Sequence, residues 1–359
     1  EIQESYKDNR RTEIIQQEVE INIEDLIADE EMAVTISHAG YIKRHPVSEY
    51  RAQRRGGKGK IGMGVRDEDF VEKLFTASTH DYILFFTDSG KVYWLKVHEI
   101  PEAGRVSKGK AMVNLLALAS DEKVTTTLPV REFRDDWYVI MATRRGIIKK
   151  TKLSAYGNPR QGGIIALTLE EGDKLIGVEL TDGQSDILLG SKKGIVIRFS
   201  EKDARPIGRT ARGVRGIRLD KTNEVIGMAT ISHEAEASIL TATEGGFGKR
   251  TLATEYRRQG RGGRGVSSVK VTEKNGLAVS FHQVNDSDEI MIMTAEGKIL
   301  RTKVGSLRDI GRNSQGVRLI DMEETDRVVG VAKLDESTEG DEGAGNNGSG
   351  NAGDSNGSS

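Results

Sequence analysis

The feature of this 359-residue sequence that most constrains its fold is a pair of glycines that recurs six times. In five repeats the second glycine follows the first by 19 residues, and in the third repeat the spacing is two residues shorter. The first glycines are Gly40, Gly90, Gly146, Gly194, Gly246 and Gly297, and the second are Gly59, Gly109, Gly163, Gly213, Gly265 and Gly316. Successive repeats begin about 51 residues apart, which is typical of a supersecondary unit that buries its faces against its neighbours.

Each repeat contains four short segments with the composition of β-strands. In the third repeat these include residues 138–143 before the first glycine, 147–148 after it, and a closing run over 175–178. Polar residues precede each first glycine, a pattern that predicts a hairpin whose glycine adopts φ > 0. Behind the second glycine the apolar alternation resumes, as at Val266 and Val269. The sequence therefore predicts an all-β fold of six four-stranded blades, arranged as a propeller-like disc or spiral.

An arginine stands in the loop before each second glycine. It lies four residues before the glycine in five repeats and three residues before it in the third; these residues are Arg55, Arg105, Arg160, Arg209, Arg261 and Arg312. If the repeats are blades, the loops fall at equivalent places on successive sheets and would form a positively charged track along one rim. Glycines let the backbone approach a phosphate, arginine offers a fork that matches phosphate oxygens, and lysine offers a point charge. The repeated loop thus predicts a binding surface for an anionic polymer.

The charge distribution supports that prediction, although the net charge is only −2. Residues 1–30 contain ten acids and three bases, and residues 335–359 contain six acids and no base, so residues 31–334 carry a net charge of +11. We expect three parts: the end of a linker over residues 1–30, the bladed domain over 31–334, and a disordered acidic tail over 335–359. The tail either only solvates the chain or competes with the anionic partner for the basic rim.

Composition argues against several classes of site. Cysteine is absent, so no thiolate nucleophile, thiolate metal site or disulfide is available. The six histidines lack the spacing of metal ligands, and no metal or other cofactor is assigned to this chain. No apolar run approaches the roughly 18 residues of a membrane helix and no secretory signal opens the chain, so a soluble intracellular protein is expected. Two G-x-G-x-x-G matches, beginning at Gly57 and Gly260, do not open a helix in a βαβ unit, which argues against dinucleotide binding.

The loop of the first repeat carries a resemblance to a known family. Its residues Gln53-Arg54-Arg55-Gly56-Gly57-Lys58-Gly59 match, at all seven positions, the gyrase-A box of the C-terminal domain of bacterial DNA gyrase A. The segment from Val34 to Arg44 and the six-fold period are also similar to that domain, so the resemblance covers about residues 1–334. In the fifth repeat, residues 259–265 form a degenerate second box with Arg264 in place of the lysine.

The resemblance implies a β-pinwheel, a propeller-like disc whose blades exchange a strand and which wraps duplex DNA around its perimeter. It implies a non-catalytic part of an ATP-dependent type II topoisomerase that introduces negative supercoils. The nucleophilic tyrosine would lie upstream of Glu1, and ATP and Mg would be used elsewhere in the holoenzyme. The implied partners are duplex DNA, gyrase B and the rest of gyrase A in an A2B2 assembly, without a membrane. The isolated domain is expected to be monomeric, cytoplasmic and associated with the nucleoid.

The predicted DNA-binding residues are the seven of the box and basic residues of the other loops. They are Gln53, Arg54, Arg55, Gly56, Gly57, Lys58, Gly59, Lys60, Arg105, Lys108, Lys110, Arg160, Arg209, Arg212, Arg215, Arg258, Arg261, Arg264 and Arg312. For Arg160 and Arg312, a purely structural role in the loop is an equally good interpretation. The two tryptophans, Trp94 and Trp137, are expected to pack between blades rather than to stack on bases.

Two alternatives stay open. The C-terminal domain of the corresponding protein of topoisomerase IV shares the blade repeat, but the intact box argues against it. A propeller that serves as a protein-interaction module, or as a glycan-cleaving enzyme, would explain six blades equally well, because a fold does not fix a function.

Overall fold

The computed structural model of the chain describes residues 26–47, 71–104, 107–232, 237–323 and 325–334. Within these residues the regular structure consists of β-strands and short 3₁₀ turns, and no helix among them could span a membrane.

The strands fall into six groups, one per repeat. The first is β1 (Glu31–Ser37), β2 (Tyr41–Pro46) and β3 (Val71–Ser78). The second is β4 (Tyr82–Thr87), β5 (Lys91–Lys96), β6 (Lys110–Ala111) and β7 (Val124–Val130), and the third is β8 (Tyr138–Thr143), β9 (Ile147–Lys152), β10 (Ile164–Ile165) and β11 (Leu175–Thr181). The fourth is β12 (Asp186–Ser191), β13 (Ile195–Ser200), β14 (Val214–Arg215) and β15 (Val225–Ile231), and the fifth is β16 (Ser238–Thr243), β17 (Phe247–Leu252), β18 (Val266–Ser267) and β19 (Ala278–Val284). The sixth is β20 (Glu289–Thr294), β21 (Ile299–Lys303), β22 (Val317–Arg318) and β23 (Val328–Leu334).

Each sheet, called a blade below and numbered by the repeat that supplies its hairpin, is antiparallel and takes its outermost strand from the following repeat. Blade 3 has the order β11-β8-β9-β14, and blades 1, 2, 4 and 5 take β6, β10, β18 and β22 in the same way. Among the described residues, blade 6 contains the three strands β21-β20-β23. The predicted all-β, six-bladed architecture is confirmed. A sequence repeat does not coincide with a sheet, however, because the short third strand of each repeat pairs one blade back.

The exchanged strands are also shorter than the alternation predicts. Val266 and Ser267 alone form β18, which pairs with β13 through Val196 and Ile195. Val269 is nevertheless buried, because the chain behind β18 turns inward between two blades. The apolar pattern therefore marked buried positions correctly, but burial there does not require a long strand.

The glycines of the repeat have two different physical reasons. All six first glycines adopt positive φ in hairpin turns, for example +86° at Gly297, as predicted. The second glycines that the structure describes also have positive φ, and most of them lie against the backbone of the preceding blade. At Gly265, φ is +78° and a Cβ would lie 2.6 Å from the carbonyl oxygen of Val196. The second glycine is thus required both for its conformation and for the close approach of the exchanged strand.

The hydrophobic core lies between adjacent blades. One cluster, for example, joins Ile140, Ala142 and Ile148 of blade 3 to Leu189 and Phe199 of blade 4. Four further clusters repeat this arrangement around the molecule. Each four-stranded sheet exposes apolar side chains on both faces, so the blades stabilise one another only by stacking.

The inner strands form a closed ring. β7 contacts β11, and the contacts continue through β15 and β19 to β23, which in turn contacts β3 of blade 1. Side chains link neighbouring inner strands: Lys73 Nζ donates to Thr127 Oγ1 at 3.2 Å, and Thr230 Oγ1 donates to Glu179 Oε2 at 2.6 Å. Between a disc and a spiral, the contact of the first blade with the last places this molecule with the closed disc.

Candidate nucleic-acid interface

The basic loops lead into the outermost strands of the sheets. Because β6, β10, β14, β18 and β22 are the strands farthest from the central ring, the loops before them lie at the outer edges of five successive blades. The loop before β14 spans residues 205–213 and the loop before β18 spans residues 257–265. These segments are called rim loops below and are numbered by the repeat that contains them. The predicted box, residues 53–59, together with Lys60 and Arg105, lies outside the described residues.

The rim loops of repeats 4 and 5 are the densest in positive charge among those described. Residues 205–218 and 257–264 contain nine arginines and no acidic residue. Arg212, Arg215, Arg258 and Arg264 were among the predicted contacts and are exposed, and Arg209 and Arg261 are half-buried. The sequence prediction missed three exposed arginines of the same segments, Arg205, Arg218 and Arg257. Their signal was their place inside these loops, outside the fixed offset from the glycine.

The arginine at the fixed offset bridges two consecutive rim loops. Arg209 Nη1 donates to the carbonyl oxygen of Ile165 at 3.3 Å, and Arg261 Nη1 donates to that of Arg215 at 2.6 Å. Arg312 Nη1 makes the equivalent bond to Ser267 at 3.3 Å. Each acceptor lies two residues after the second glycine of the preceding repeat. These arginines therefore connect neighbouring loops through one nitrogen, and in Arg209 the remaining donors of the guanidinium face the partly exposed side of the loop.

Other predicted residues have different surroundings. Arg258 Nη2 lies 2.6 Å from Oδ1 of Asp186, a fully buried carboxylate that also accepts from Arg198 Nε at 2.8 Å. This pairing makes Arg258 part of the packing between blades as well as of the rim. Arg212 lies 3.9 Å from a Glu170 carboxylate oxygen, both side chains being exposed.

The remaining predicted residues lie in the rim loops of repeats 2 and 3. Lys108 is half-buried with its ammonium 4.2 Å from the ring centroid of Tyr41, and Lys110 and Arg160 are exposed. Arg160 borders a cavity of about 430 Å³ that is lined in part by Trp94. Trp94 itself packs against the core cluster between blades 2 and 3, and its Nε1 donates to the carbonyl oxygen of Tyr156 at 3.0 Å. Trp137 packs against the same cluster, so both tryptophans lie between blades as predicted.

Three buried lysines lie directly beneath rim loops, and the sequence prediction missed them. Lys43, Lys149 and Lys249 occupy the third position after the first glycine of repeats 1, 3 and 5, and each is no more than 1% exposed. Burial lowers the pKa of Lys149 to about 7, with a smaller contribution from the charge of Arg209. Burial likewise lowers the pKa of Lys249 to about 8. The signal was present in the sequence, as a lysine that recurs at an otherwise apolar strand position.

Comparison with known proteins defines the class to which this ring of blades belongs. A family model described as "DNA gyrase C-terminal domain, beta-propeller" matches residues 31–78, 81–131, 138–182, 185–232, 237–285 and 288–335. These six segments coincide with the six repeats, and the chain belongs to this family.

A curated relative narrows the assignment within the family. The DNA gyrase A protein of Salmonella typhimurium is 47% identical to the chain over 341 residues, which cover 95% of the chain and 39% of the relative. The chain thus spans about two-fifths of the length of that protein. It corresponds to the C-terminal, non-catalytic domain of a DNA gyrase A protein, a component of type II topoisomerases.

Two solved structures share the fold. A crystal structure of the C-terminal domain of DNA topoisomerase IV superimposes with a TM-score of 0.77 at 29% identity, covering 87% of this chain and 96% of that one. A structure of a DNA gyrase A C-terminal domain superimposes with a TM-score of 0.64 at 26% identity, covering 85% of this chain and all of that one. Fold similarity alone does not separate the two enzymes, whereas the higher sequence identity lies with the gyrase A protein of Salmonella.

Proposed function

We propose that this chain binds duplex DNA along its rim loops and bends it around the disc, as the DNA-wrapping domain of a DNA gyrase. The observation that carries the proposal is the pair of rim segments, 205–218 and 257–264, whose nine arginines are not accompanied by any acidic residue. They lie on adjacent blades and are linked through the bond from Arg261 to the Arg215 carbonyl. A continuous positive edge suits a long polyanion better than a small ligand.

The chemistry favours contacts with phosphates rather than with bases. Short rim loops present arginine side chains and glycine-rich backbone, but no helix or extended ribbon that would enter a major groove is formed by the described loops. Phosphate contacts fix the path of the duplex and carry no sequence information. We therefore expect binding that is largely independent of DNA sequence.

Wrapping requires several blades to act together. Bending a site of 20–30 base pairs by 40–90° costs on the order of 1–6 kcal/mol, more than one rim loop would comfortably offset. If each of six blades provides about two phosphate contacts, the total is about 12, and the slope of log K against log salt is about −10. The box over residues 53–59 would supply the contacts of the first repeat.

In the holoenzyme the wrapped segment would be presented for strand passage. Gyrase B and the rest of gyrase A would complete an A2B2 assembly in the cytoplasm, and ATP and Mg would be used there rather than by this chain. This part of the proposal depends on the family, because the chain spans only 39% of the Salmonella relative.

The experiment is a duplex DNA titration across a salt series, with a matched pair of variants. Arg215→Gln removes an exposed charge from a rim loop and is expected to reduce the salt slope by about 1. Arg145→Gln removes an exposed charge from a hairpin turn, where Arg145 Nη1 lies 3.8 Å from a Glu170 oxygen, and is expected to leave the slope unchanged. Absence of binding at low salt, or a flat slope for the unmodified chain, would favour a protein-interaction module instead.

A further inference from the structure

The support beneath the rim loops alternates from blade to blade. At the third position after the first glycine, blades 1, 3 and 5 carry the buried residues Lys43, Lys149 and Lys249. The same position holds Tyr93 in blade 2 and Ile197 in blade 4, both also buried. Since each rim loop belongs to the repeat after the blade it covers, the lysines lie under the rim loops of repeats 2, 4 and 6.

Each lysine is bonded to the main chain of the rim loop above it. Lys149 Nζ donates to the carbonyl oxygen of Ala166 at 2.6 Å and to that of Arg209. Lys249 Nζ donates to the carbonyl oxygens of Gly311 at 2.7 Å and Arg312 at 2.6 Å. The ammonium is therefore attached at, or directly beside, the arginine that bridges consecutive loops.

Lys43 repeats the arrangement in blade 1, where its Nζ donates to the carbonyl oxygen of Gly104 at 3.0 Å. The loops of repeats 3 and 5 rest on neutral groups instead. A Cβ on Gly163 would lie 2.8 Å from the Tyr93 ring, and one on Gly263 would lie 3.4 Å from Ile197 Cδ1.

Stability of the fold does not account for these lysines. Removing an ammonium group from water is costly unless a partner compensates for it, and a methionine would fill the same space without that cost. Among the described residues, neither Lys149 nor Lys249 has a carboxylate within ion-pair distance, and carbonyl oxygens of the rim loop are their acceptors. A charge kept in this position must serve what the loop does.

We infer that Lys149 and Lys249, and Lys43 by the same geometry, are positioning residues for DNA binding: each fixes the arginine of a rim loop from below and adds a positive charge under it. The inference rests on the proposed function. The buried ammonium does not touch the duplex itself. Because it is shielded from solvent, its field at the rim is screened by salt less than that of an exposed side chain.

The test uses the whole chain and a fluorescently labelled duplex. Lys149→Met and Lys249→Met remove the charge and the donors while keeping the volume of the side chain. We expect each folded variant to bind about tenfold more weakly, with a salt slope lower by about 1, because one phosphate contact is lost. Ile197→Met is the matched control: it alters the same register position under a loop that no lysine supports, and it should leave the slope unchanged.

A second measurement separates positioning from simple packing. Affinity of the unmodified chain should fall as pH rises from 6 to 9, since DNA favours the charged form of lysines whose pKa values lie near 7 and 8. The charged groups that act on them are Arg209 for Lys149, and Arg312 and Glu255 for Lys249. The Lys149→Met, Lys249→Met double variant should show a smaller fall.

The outcomes are distinguishable. Folded variants whose affinity, salt slope and pH profile equal those of the unmodified chain would overturn the inference and leave the proposed function intact. If the variants do not fold, the pH series of the unmodified chain decides, and a flat profile overturns the inference. An unmodified chain that does not bind DNA at low salt refutes the proposed function, and the inference with it.

Discussion

Three Gly→Ala substitutions separate the two requirements that the repeated glycines meet. Gly265 has φ of +78°, and a Cβ there would lie 2.6 Å from Val196 O and 2.8 Å from Ile195 Cγ2. Gly297 has φ of +86° but open space around the position of a Cβ, and Gly260 has neither constraint. The series thus adds first a conformational penalty and then a steric one.

The expected magnitudes follow from these surroundings. A left-handed conformation costs an L-residue about 1–2 kcal/mol, so Gly297→Ala should lower the free energy of unfolding by about that amount. Gly265→Ala should add about 1–3 kcal/mol for the forced displacement of β18 from β13, giving about 2–5 kcal/mol in all. Gly260→Ala should change the free energy of unfolding by about 0.5 kcal/mol or less, as an exposed site without strain.

Urea unfolding monitored by circular dichroism provides the assay, with DNA affinity measured in parallel. Because β18 anchors the rim loop of repeat 5, Gly265→Ala should weaken DNA binding even where the protein is still folded, and Gly297→Ala should not. Equal unfolding midpoints for Gly265→Ala and Gly260→Ala would refute the argument that the exchanged strand depends on this close approach.

Three further predictions concern pH, the box and the tail. The folded pKa of Lys149 lies near 7, below its ordinary value of 10.5, so the unfolded chain binds more protons between these values and the free energy of unfolding should rise with pH across that window. Lys149→Met should flatten that rise in unfolding titrations at pH 7 to 10. Replacement of residues 53–59 by alanine should abolish chirally wrapped DNA without unfolding the blades, whereas an unchanged linking difference in a topological ligation assay would contradict this. Deletion of residues 335–359 should tighten DNA binding at low salt if the acidic tail competes for the rim, and an unaltered dissociation constant would leave it as a solvating segment.

Much of the fold could be predicted because its signals are local. A positive φ in a hairpin turn calls for glycine whatever lies nearby, so Gly40 and its five equivalents marked the turns, and their spacing gave the number of blades. Alternating apolar residues marked strands such as β8 because one side chain in two must face a neighbouring sheet. The basic loops were equally visible, since arginine and glycine at a fixed offset recur whatever the fold around them.

Contacts between residues distant in sequence decided the rest. Pairing of β14 with β9 joins residues more than 60 positions apart, and nothing in the composition of Val214 and Arg215 identifies the sheet that receives them. The same distance separates Lys149 from the carbonyl of Arg209, so that a lysine which looks like an error in an apolar strand becomes the support of a basic loop. Closure of the ring likewise depends on β23 reaching β3, the two ends of the array. The sequence by itself determined the repeating unit, because turns and strands depend on near neighbours, and tertiary structure alone decided how the units exchange strands, support their loops and close.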